Sequence, residues 1–363
     1  MRYKSITMKT DTRKAGSERD ARRATIKDIA DQAGVSVGTV SAVINQKASV
    51  SNDTRARVLS VIDELNYRPN AAARRRLQRT SQKSIGFVIK EMQNPYFADV
   101  IIGVQEVAHA RGYNVIVVSS ERQSELEHEL TELLVAKDVD GLVINPLLDD
   151  SADIAHLFEL KRRKIPLILL ESIRGLSASM VDVNNVQASK HAVEWLIDHG
   201  HKRIVHFAGP MYSMHSDERI EGVRRAFSAQ QLALTEQDVV HAGARLEDGY
   251  AAGLAYFREK SDNPPTAVTC YNDLVAIGLM RALRELNIKV PDDVSVIGYD
   301  DIAMSSYCCV PLTSVRVPRK QIGNRAAEML IQHIESSDTW KIERLSLKAE
   351  LIVRESTRAL TES

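Results

Sequence analysis

The 363-residue chain lacks features that mark several large protein classes. Its three cysteines, Cys270 and the adjacent Cys308 and Cys309, show no CxxC spacing, which argues against a disulfide scaffold or a thiolate metal site. No apolar run reaches the roughly 18 residues of a membrane-spanning helix, and the N-terminus has no apolar core of a signal peptide. We therefore expect a cytoplasmic protein without a membrane partner.

Motifs of common enzyme classes are also missing. The chain contains no GxxxxGK[ST], no HExxH and no GxGxxG after its first predicted strand. His199 and His201 have the spacing of a metal-binding pair, but they flank Gly200, which is typical of the end of a helix. We expect no enzyme activity, no cofactor and no metal.

Charge is divided unevenly along a chain whose formal net charge is zero. Residues 1–83 contain 18 Lys and Arg against 8 Asp and Glu, whereas the remaining 280 residues contain 30 against 40. A basic head on an acidic body is typical of nucleic-acid binding, because cationic side chains release counterions from phosphates. The polar residues 1–23 are predicted to form a disordered arm, which either touches phosphates or remains a solvated tail.

Two short helices with a tight turn between them are predicted over residues 25–45. Thr25 and Asp28 form a capping box, Gly34 ends the first helix, and Ser36 caps the second. The second helix should bury Val37, Val40 and Ile44, leaving an outer face without carboxylates that can enter a DNA major groove. The alternative is an ordinary helical hairpin. The outward residues are Gly38, Thr39, Ser41, Ala42 and Asn45.

A third helix and a basic hinge follow. Ser51 or Asn52 caps a helix whose apolar positions are Val58, Leu59, Ile62 and Leu65. Residues 67–80, YRPNAAARRRLQRT, contain too few apolar residues to fold alone. We predict a helix that orders on DNA with Leu77 wedged into a minor-groove base step, the alternative being a charged linker.

From Ser84 onward, short β-branched runs alternate with longer helical patterns. The runs IGFVI, VIVVS, GLVIN and LILLE are separated by predicted helices over 96–111, 123–137 and 152–163, and the alternation continues to Val317. Parallel sheets with crossover helices are expected, in an α/β fold of two lobes with a cleft between them. Ligands of such sheets bind beyond the carboxyl ends of the strands.

Polar and aromatic side chains follow these strand ends. Asp, Asn and Arg can pair with adjacent hydroxyl groups, and an aromatic ring can cover the apolar face of a sugar, so the set suits a polyol better than a phosphate. Asp149 is alternatively a surface cap, and Asp273 the N-cap or first-turn acid of its helix. The candidates are Asn94, Tyr96, Phe97, Asp149, Asp150, Arg219, Asn272, Asp273 and Asp300.

These motifs together resemble the LacI/GalR family of bacterial transcription regulators. TIKDIADQAGVSVGTVSAVIN, ELNYRPNAAAR, NPYF, GHKRI, CYND and VSVIGYDD occur in family order, and the resemblance covers residues 25 to about 355. It implies a periplasmic-binding-protein-like core, a twofold homodimer, and allosteric control of a palindromic double-stranded DNA operator by a small-molecule effector. By position it suggests Arg219, Asn272 and Asp300 as effector ligands. The DNA-binding positions are Thr25, Ser36, Val37, Gly38, Thr39, Ser41, Ala42, Asn45, Asn70, Ala73, Arg74, Arg76 and Leu77.

The chain departs from the family pattern at three places. One additional residue precedes Leu77, and one helical residue turns a side chain by about 100°, so either the hinge helix starts later, which we favour, or Arg76 is the wedge. Ala244 replaces an aromatic that often stacks on the effector, and Val317 replaces a common Gln. A non-sugar ligand or a protein coregulator therefore remains an alternative to a sugar-like effector.

The reading positions of the second helix are also poor in hydrogen-bonding groups. Val37, Gly38 and Ala42 cannot make bidentate contacts to bases, so specificity should rest on thymine-methyl packing, hinge insertion and DNA shape.

The expected organisation is a basic arm at 1–23, a helix-turn-helix head at 24–68, a hinge at 69–83 and a core at 84–363. Within the core, lobe 1 is expected at about 84–184 and 317–345, and lobe 2 at about 185–316 and 346–355.

Overall fold

The computed structural model describes residues 25–44, 50–65, 83–148, 153–259, 264–336 and 341–360. The chain divides into two compact units, residues 1–81 and 82–363. Several predicted positions lie outside the described residues. These are the arm at 1–23, the hinge at 67–80 with Asn70, Ala73, Arg74, Arg76 and Leu77, and the single positions Asn45, Asp149 and Asp150.

The described residues of the first unit form three helices, α1 (Ile26–Ala33), α2 (Val37–Ile44) and α3 (Asn52–Glu64). The predicted capping box is present: the Asp28 N–H donates to Thr25 Oγ1 at 3.3 Å, and the Thr25 N–H donates to Asp28 Oδ2 at 2.7 Å. Gly34 ends α1 with φ +64°, a left-handed conformation that glycine adopts without steric cost. Ser36 caps α2 by accepting the Thr39 N–H at 3.0 Å.

Two predicted core positions of this unit are wrong. Val37 is 45% exposed and Leu59 is 47% exposed, whereas Val43 and Val61 are buried in their place. Val40 and Val43 share the buried face of α2, and at about 100° per residue Val37 lies on the other side of Val40, about 120° away from Val43. Val37 therefore belongs to the outer face of α2.

Lobe 1 of the second unit is built on a six-stranded sheet in the order β11-β5-β4-β3-β1-β2. All of its neighbouring strands pair in parallel, and most strand residues are buried on both faces. The strands are β1 (Lys83–Ile89), β2 (Tyr113–Ser119), β3 (Gly141–Ile144), β4 (Leu167–Leu169), β5 (Ser179–Val183) and β11 (Arg344–Leu347). The helices are α4 (Tyr96–Ala110), α5 (Ser124–Ala136), α6 (Ala155–Arg162) and α11 (Arg319–Glu335).

Lobe 2 repeats this arrangement with the sheet order β12-β10-β9-β8-β6-β7. Among the described strands of this sheet, the edge strand β12 alone pairs antiparallel to its neighbour, β10. The strands are β6 (Ile204–Ala208), β7 (Val239–His241), β8 (Ala267–Cys270), β9 (Ser295–Asp300), β10 (Thr313–Arg316) and β12 (Glu350–Ile352). The helices are α7 (Asn185–Asp198), α8 (Met214–Ala229), α9 (Leu246–Arg258) and α10 (Asp273–Glu285).

The chain crosses between the lobes three times, after β5, after β10 and between β11 and β12. All three crossings lie at the same side of each sheet, because β5, β11, β10 and β12 are neighbouring edge strands. The opposite sides, at β2 and β7, have no connecting chain. This arrangement puts the pivot of any opening motion at one end of the interlobe cleft. In the part of the chain that the structure describes, no helix has the length and apolar character needed to span a membrane.

Candidate interlobe binding cleft

A polar cavity of about 70 Å³ lies between the lobes, where the carboxyl ends of the two sheets face each other. Both lobes contribute side chains to its wall, as expected for a ligand site of paired α/β lobes. Six predicted residues line it, together with Ala244 and Val317. The six are Asn94, Tyr96, Phe97, Arg219, Asn272 and Asp300.

Eight further polar or aromatic residues line the same cavity and were not predicted. They include both members of two charged pairs, Glu91 with Arg122 and Asp182 with His215, so the wall is more highly charged than the predicted set indicated. The eight are Lys90, Glu91, Arg122, Asn145, Asp182, Ser213, His215 and Tyr271.

Arg219 is held in the cavity wall by aromatic rings and neutral hydrogen-bond acceptors. Its guanidinium carbon lies 3.5 Å from the centroid of the Tyr299 ring and 4.6 Å from that of Tyr271. Its Nε donates to Asn185 Oδ1 at 3.3 Å, and its Nη1 donates to the Tyr271 carbonyl. A guanidinium has five N–H donors, so three are left for a ligand. Gly209 makes room for this stack, because a Cβ there would lie 2.5 Å from the Tyr271 ring.

Asp300 presents a buried carboxylate at the end of β9. Its backbone has φ +104°, a strained value for a residue with a side chain, and the following Asp301 has φ +53°. Arg319 donates to the Asp300 carbonyl and pairs with Asp99 of α4 at 2.7 Å. Burial raises the pKa of Asp300 to about 6, although the cations of Arg219 and Arg319 act against it. Among the described residues no side-chain hydrogen bond engages this carboxylate.

Asn272 and Asp273 lie at the start of α10 and differ in role, because Asn272 lines the cavity and Asp273 does not. Asn272 caps the helix by accepting the Val275 N–H at 2.9 Å and donates to the Ala244 carbonyl at 2.9 Å, which leaves one amide N–H for a ligand. Asp273 does not line the cavity, and it accepts bonds from Ser314, Ser305 and the Ile302 N–H. Asp273 is therefore an acidic residue in the first turn of α10, as the alternative interpretation of the sequence predicted.

A buried group of charges from both lobes lies beside the cavity. Glu171 of lobe 1 accepts a hydrogen bond from Lys90 of the same lobe and one from Ser213 of lobe 2, the latter at 2.9 Å. Burial alone would raise the pKa of Glu171, but the cationic His215 and Lys90 lower it, to about 2. Glu171 is therefore a permanent anion that both lobes contact.

His215 is the second contact of this group across the cleft. Its Nε2 lies 2.8 Å from Asp182 Oδ2 and its Nδ1 lies 3.8 Å from Glu171 Oε2, both carboxylates belonging to lobe 1. The His215 side chain is 12% exposed. Burial alone would lower the pKa of His215, but the carboxylates of Asp182 and Glu171 outweigh it and raise the pKa above its usual value.

A salt bridge closes the side of the cleft that lies far from the chain crossings. Arg245, which precedes α9 of lobe 2, contacts Glu91 of lobe 1 with a 2.9 Å distance between Nη2 and Oε2. Arg122 of lobe 1 approaches the other Glu91 oxygen at 3.9 Å. Because β1 and β7 lie toward the unconnected side of their sheets, this pair, the mouth salt bridge, joins the lobes where opening would separate them most.

The outer face of α2 is the candidate DNA interface of the first unit. Ser36, Val37 and Gly38 are exposed, and Thr39, Ser41 and Ala42 are half-buried. Thr25 is also exposed at the start of α1. The face contains no ionisable side chain between Ser36 and Ile44, so it can approach DNA phosphates without repulsion.

The described residues contain no group of three or more His, Cys, Asp or Glu side chains arranged to hold a metal ion. His199 and His201, which have the spacing of a metal-binding pair, make other contacts. His199 Nδ1 lies 2.7 Å from the Trp195 carbonyl, and the two nitrogens of His201 lie near Thr266 Oγ1 and the Arg358 carbonyl.

Comparison with known proteins matches both units. A model of the bacterial regulatory proteins of the lacI family matches residues 25–70, and a model of the periplasmic binding protein-like domain matches residues 193–357. The HTH-type transcriptional repressor PurR of Haemophilus influenzae (strain PittEE) is 33% identical over 341 residues, covering 93% of this chain and 99% of that protein. The PurR of Vibrio campbellii is 34% identical over 339 residues, with the same coverage of both chains.

Solved structures extend the match to three dimensions. The lac repressor dimer bound to operator and the anti-inducer ONPF has a TM-score of 0.73 at 28% identity and covers 93% of this chain and 100% of its own. A complex of the transcriptional regulator CelR with cellobiose has a TM-score of 0.69 at 30% identity and covers 92% and 100%. The matches confirm the predicted fold class, a helix-turn-helix head on a two-lobed core.

Proposed function

The chain belongs to the LacI family of DNA-binding transcriptional repressors, and from this premise we propose that a small polar metabolite bound in the interlobe cleft controls its affinity for an operator. The observation that carries this proposal is the convergence of three partly unused polar groups on one cavity. These are the buried carboxylate of Asp300, the guanidinium of Arg219 and the amide of Asn272.

The chemistry of these groups favours a sugar-like ligand. A carboxylate and a guanidinium can each pair with two adjacent hydroxyl groups, and Tyr96 and Phe97 supply apolar surface for a ring face. Most other charges of the wall are paired with each other, which favours a neutral polyol over a strongly charged ligand. The CelR complex with cellobiose, a relative of this chain, supports the same class. Asp149, outside the described residues, is retained as a proposed ligand on sequence grounds.

Opening and closing of the cleft connects the ligand to DNA. A cavity of about 70 Å³ is small beside ligand pockets of roughly 300–1,000 Å³, so the lobes must separate for a ligand to enter. A ligand that prefers one lobe angle changes operator affinity by the difference in its affinity for the two states. We propose a twofold homodimer on a palindromic operator, as in the lac repressor dimer bound to its operator.

Ala244 and Val317 favour a second candidate ligand class. Both line the cavity. In the LacI/GalR family an aromatic residue often stands at the position of Ala244 and a Gln at that of Val317, where each would contact a sugar. Isothermal calorimetry with sugars, polyols and nucleosides tests both classes. A response only to nucleosides would replace the sugar by a non-sugar ligand. A uniform absence of binding would contradict the proposal and favour a protein coregulator.

Arg219→Lys should abolish the effect of the ligand on operator binding while leaving operator binding itself nearly intact. Lysine keeps the charge but loses the fork that pairs with two oxygens at once. The operator would first be selected from genomic DNA fragments, and binding measured by fluorescence anisotropy with and without the ligand. Arg224→Lys is the control, because Arg224 is an exposed residue of the same helix paired with Glu221. Loss of operator binding and ligand response together would contradict the assignment.

The proposed DNA contacts are the exposed face of α2, with Thr25, and the hinge residues Asn70, Ala73, Arg74, Arg76 and Leu77. Leu77→Ala should weaken operator binding at least tenfold and leave binding to unrelated DNA nearly unchanged, because a wedge acts only on the kinked site. Arg76→Ala is the matched test of the other register. If Arg76→Ala reduces the ratio of specific to unspecific binding and Leu77→Ala does not, the proposed register is wrong.

A further inference from the structure

His215 forms a contact between the lobes that depends on its protonation. It lies in the first turn of α8 in lobe 2, and its ring reaches Asp182 at the end of β5 and Glu171 beyond β4, both in lobe 1. The backbone N–H of His215 also donates to Glu171 Oε1 at 3.3 Å. The imidazole is therefore placed between two carboxylates of the opposite lobe, in a site from which water is largely excluded.

The charges around this ring balance only when His215 carries a proton. Lys90 and Glu171 pair with each other, which leaves Asp182 as the anion that faces the imidazole. Buried charges are costly unless they are paired, so a neutral imidazole would leave the Asp182 carboxylate without a cation in the closed cleft.

Other charged groups near the ring do not replace His215. Arg219 of the same helix is engaged by Asn185, Tyr271 and Tyr299, and its charge opposes protonation of His215. Glu218 accepts a bond from Asn185, and Asp300 lies across the cavity on β9. Both are acidic and add to the demand for a proton on His215.

We propose that closing of the cleft takes up a proton on His215, so that the affinity for the effector and, through it, for the operator depends on pH. This inference rests on the proposed opening and closing of the cleft. Opening would withdraw His215 from Asp182 and Glu171 and return both sides of the contact to water.

The direction of the pH dependence follows from proton linkage. In the closed form the pKa of His215 is raised, whereas in the open form the ring approaches the ordinary value of about 6.5. Below that value both forms are protonated and the full stabilisation of the closed form is present. As pH rises through the closed-form pKa this stabilisation is lost, by up to about tenfold in the closed-to-open ratio per pH unit between the two values.

The closed-to-open ratio can be measured without knowing the effector. Dyes would be attached at Lys137→Cys in lobe 1 and Lys202→Cys in lobe 2, both exposed, in the full chain carrying Cys308→Ser and Cys309→Ser. Single-molecule energy transfer would be recorded from pH 5.5 to 9 with labelled chain diluted into unlabelled chain. We expect the closed population of the parent to fall above pH 6.5.

Three variants separate His215 from other titrating groups. His215→Gln should remove the pH dependence above about pH 7, which lies beyond the pKa of about 6 of Asp300. Asp182→Asn, which keeps the histidine but removes one of its carboxylates, should move the midpoint to lower pH. His191→Gln, an exposed histidine on α7, should behave as the parent.

A closed population that is constant with pH in the parent, or an unchanged midpoint in both His215→Gln and Asp182→Asn, would overturn the proposal. If His215→Gln fails to fold, the midpoint of Asp182→Asn decides. Isothermal calorimetry with the sugar and polyol panel separates failure of the proposed function from failure of the proton uptake. Binding of a panel member with a pH-independent ratio refutes only the proton uptake, and a pH-dependent ratio without binding refutes only the effector class.

Discussion

Among single residues, Glu171 contributes to stability and to the cleft through the same carboxylate. Its side chain is fully buried, and its partner Lys90 is 16% exposed. Such a pair gains little over an apolar pair of the same shape, but removing one partner leaves a buried charge uncompensated. The position is therefore much less tolerant of substitution than a surface ion pair.

We expect Glu171→Gln to destabilise the core at neutral pH by roughly 3–5 kcal/mol, the usual cost of breaking a buried pair. Because the folded pKa of Glu171 is lowered to about 2, its contribution is complete above the unfolded value of about 4.3. That contribution is lost as pH falls toward 2, so the gap between parent and variant should narrow in acid. Urea unfolding at pH 7, 4 and 3 measures both effects. Glu159→Gln, at an exposed helix pair, should leave the midpoint nearly unchanged at each pH, and a constant gap would contradict the prediction.

The prediction of the cleft residues was incomplete, because the rule that ligands bind beyond the carboxyl ends of parallel strands was not applied equally to every strand. The rule selected Asn94 and Asn272, yet Lys90 and Asn145 directly follow β1 and β3, Arg122 lies three residues after β2, and all three line the same cavity. Applying the rule to the first residues after every strand would have found them. His215 and the mouth salt bridge depend on how two lobes meet, and no local pattern encodes that distance.

At the scale of secondary-structure elements, both lobes use the same close helix crossing. In lobe 2, a Cβ at Gly278 of α10 would lie 2.1 Å from the Leu246 carbonyl oxygen of α9. In lobe 1, a Cβ at Gly323 of α11 would lie 2.1 Å from the Val100 carbonyl oxygen of α4. Backbone atoms cannot yield at these distances, so each glycine fixes the separation of a helix pair.

Gly278→Ala should destabilise the core although alanine favours a helix by about 1 kcal/mol. The clash forces α9 and α10 apart, at a cost of roughly 1–3 kcal/mol beyond that gain. Thermal unfolding followed by circular dichroism measures the change. Arg284→Ala, at an exposed position of the same helix, is the control and should change stability by less than about 0.5 kcal/mol. A stabilised Gly278→Ala variant would show that the helices can separate without loss.

The element pattern was predictable where periodicity is strong. The helices predicted over 96–111 and 123–137 lie at Tyr96–Ala110 and Ser124–Ala136. Four strands were not predicted, namely β5, β7, β11 and β12. They span three to five residues each, too few for a periodic pattern to separate them from loops. In addition, β7, β11 and β12 are half-exposed edge strands.

At the scale of the whole molecule, two of the contacts that join the lobes across the cleft differ in character. His215 lies near the chain crossings, whereas Arg245 and Glu91 meet at the unconnected side. The mouth salt bridge lies farther than His215 from the chain crossings, and therefore farther from the pivot of an opening motion. The mouth salt bridge contains no histidine, so we expect it to act equally over the range in which His215 changes charge.

We expect Arg245→Gln to lower the closed-to-open ratio about fivefold at every pH from 6 to 9, which corresponds to the roughly 1 kcal/mol upper value for a pair with one exposed partner. Energy transfer between the lobe labels measures the ratio. Arg258→Gln is the control, because Arg258 contacts Glu285 within lobe 2. The exchanged pair Glu91→Arg with Arg245→Glu should restore only part of the loss, since Arg122 then faces an arginine instead of a carboxylate. An Arg245→Gln ratio equal to that of the parent would show that the mouth salt bridge forms without biasing closure.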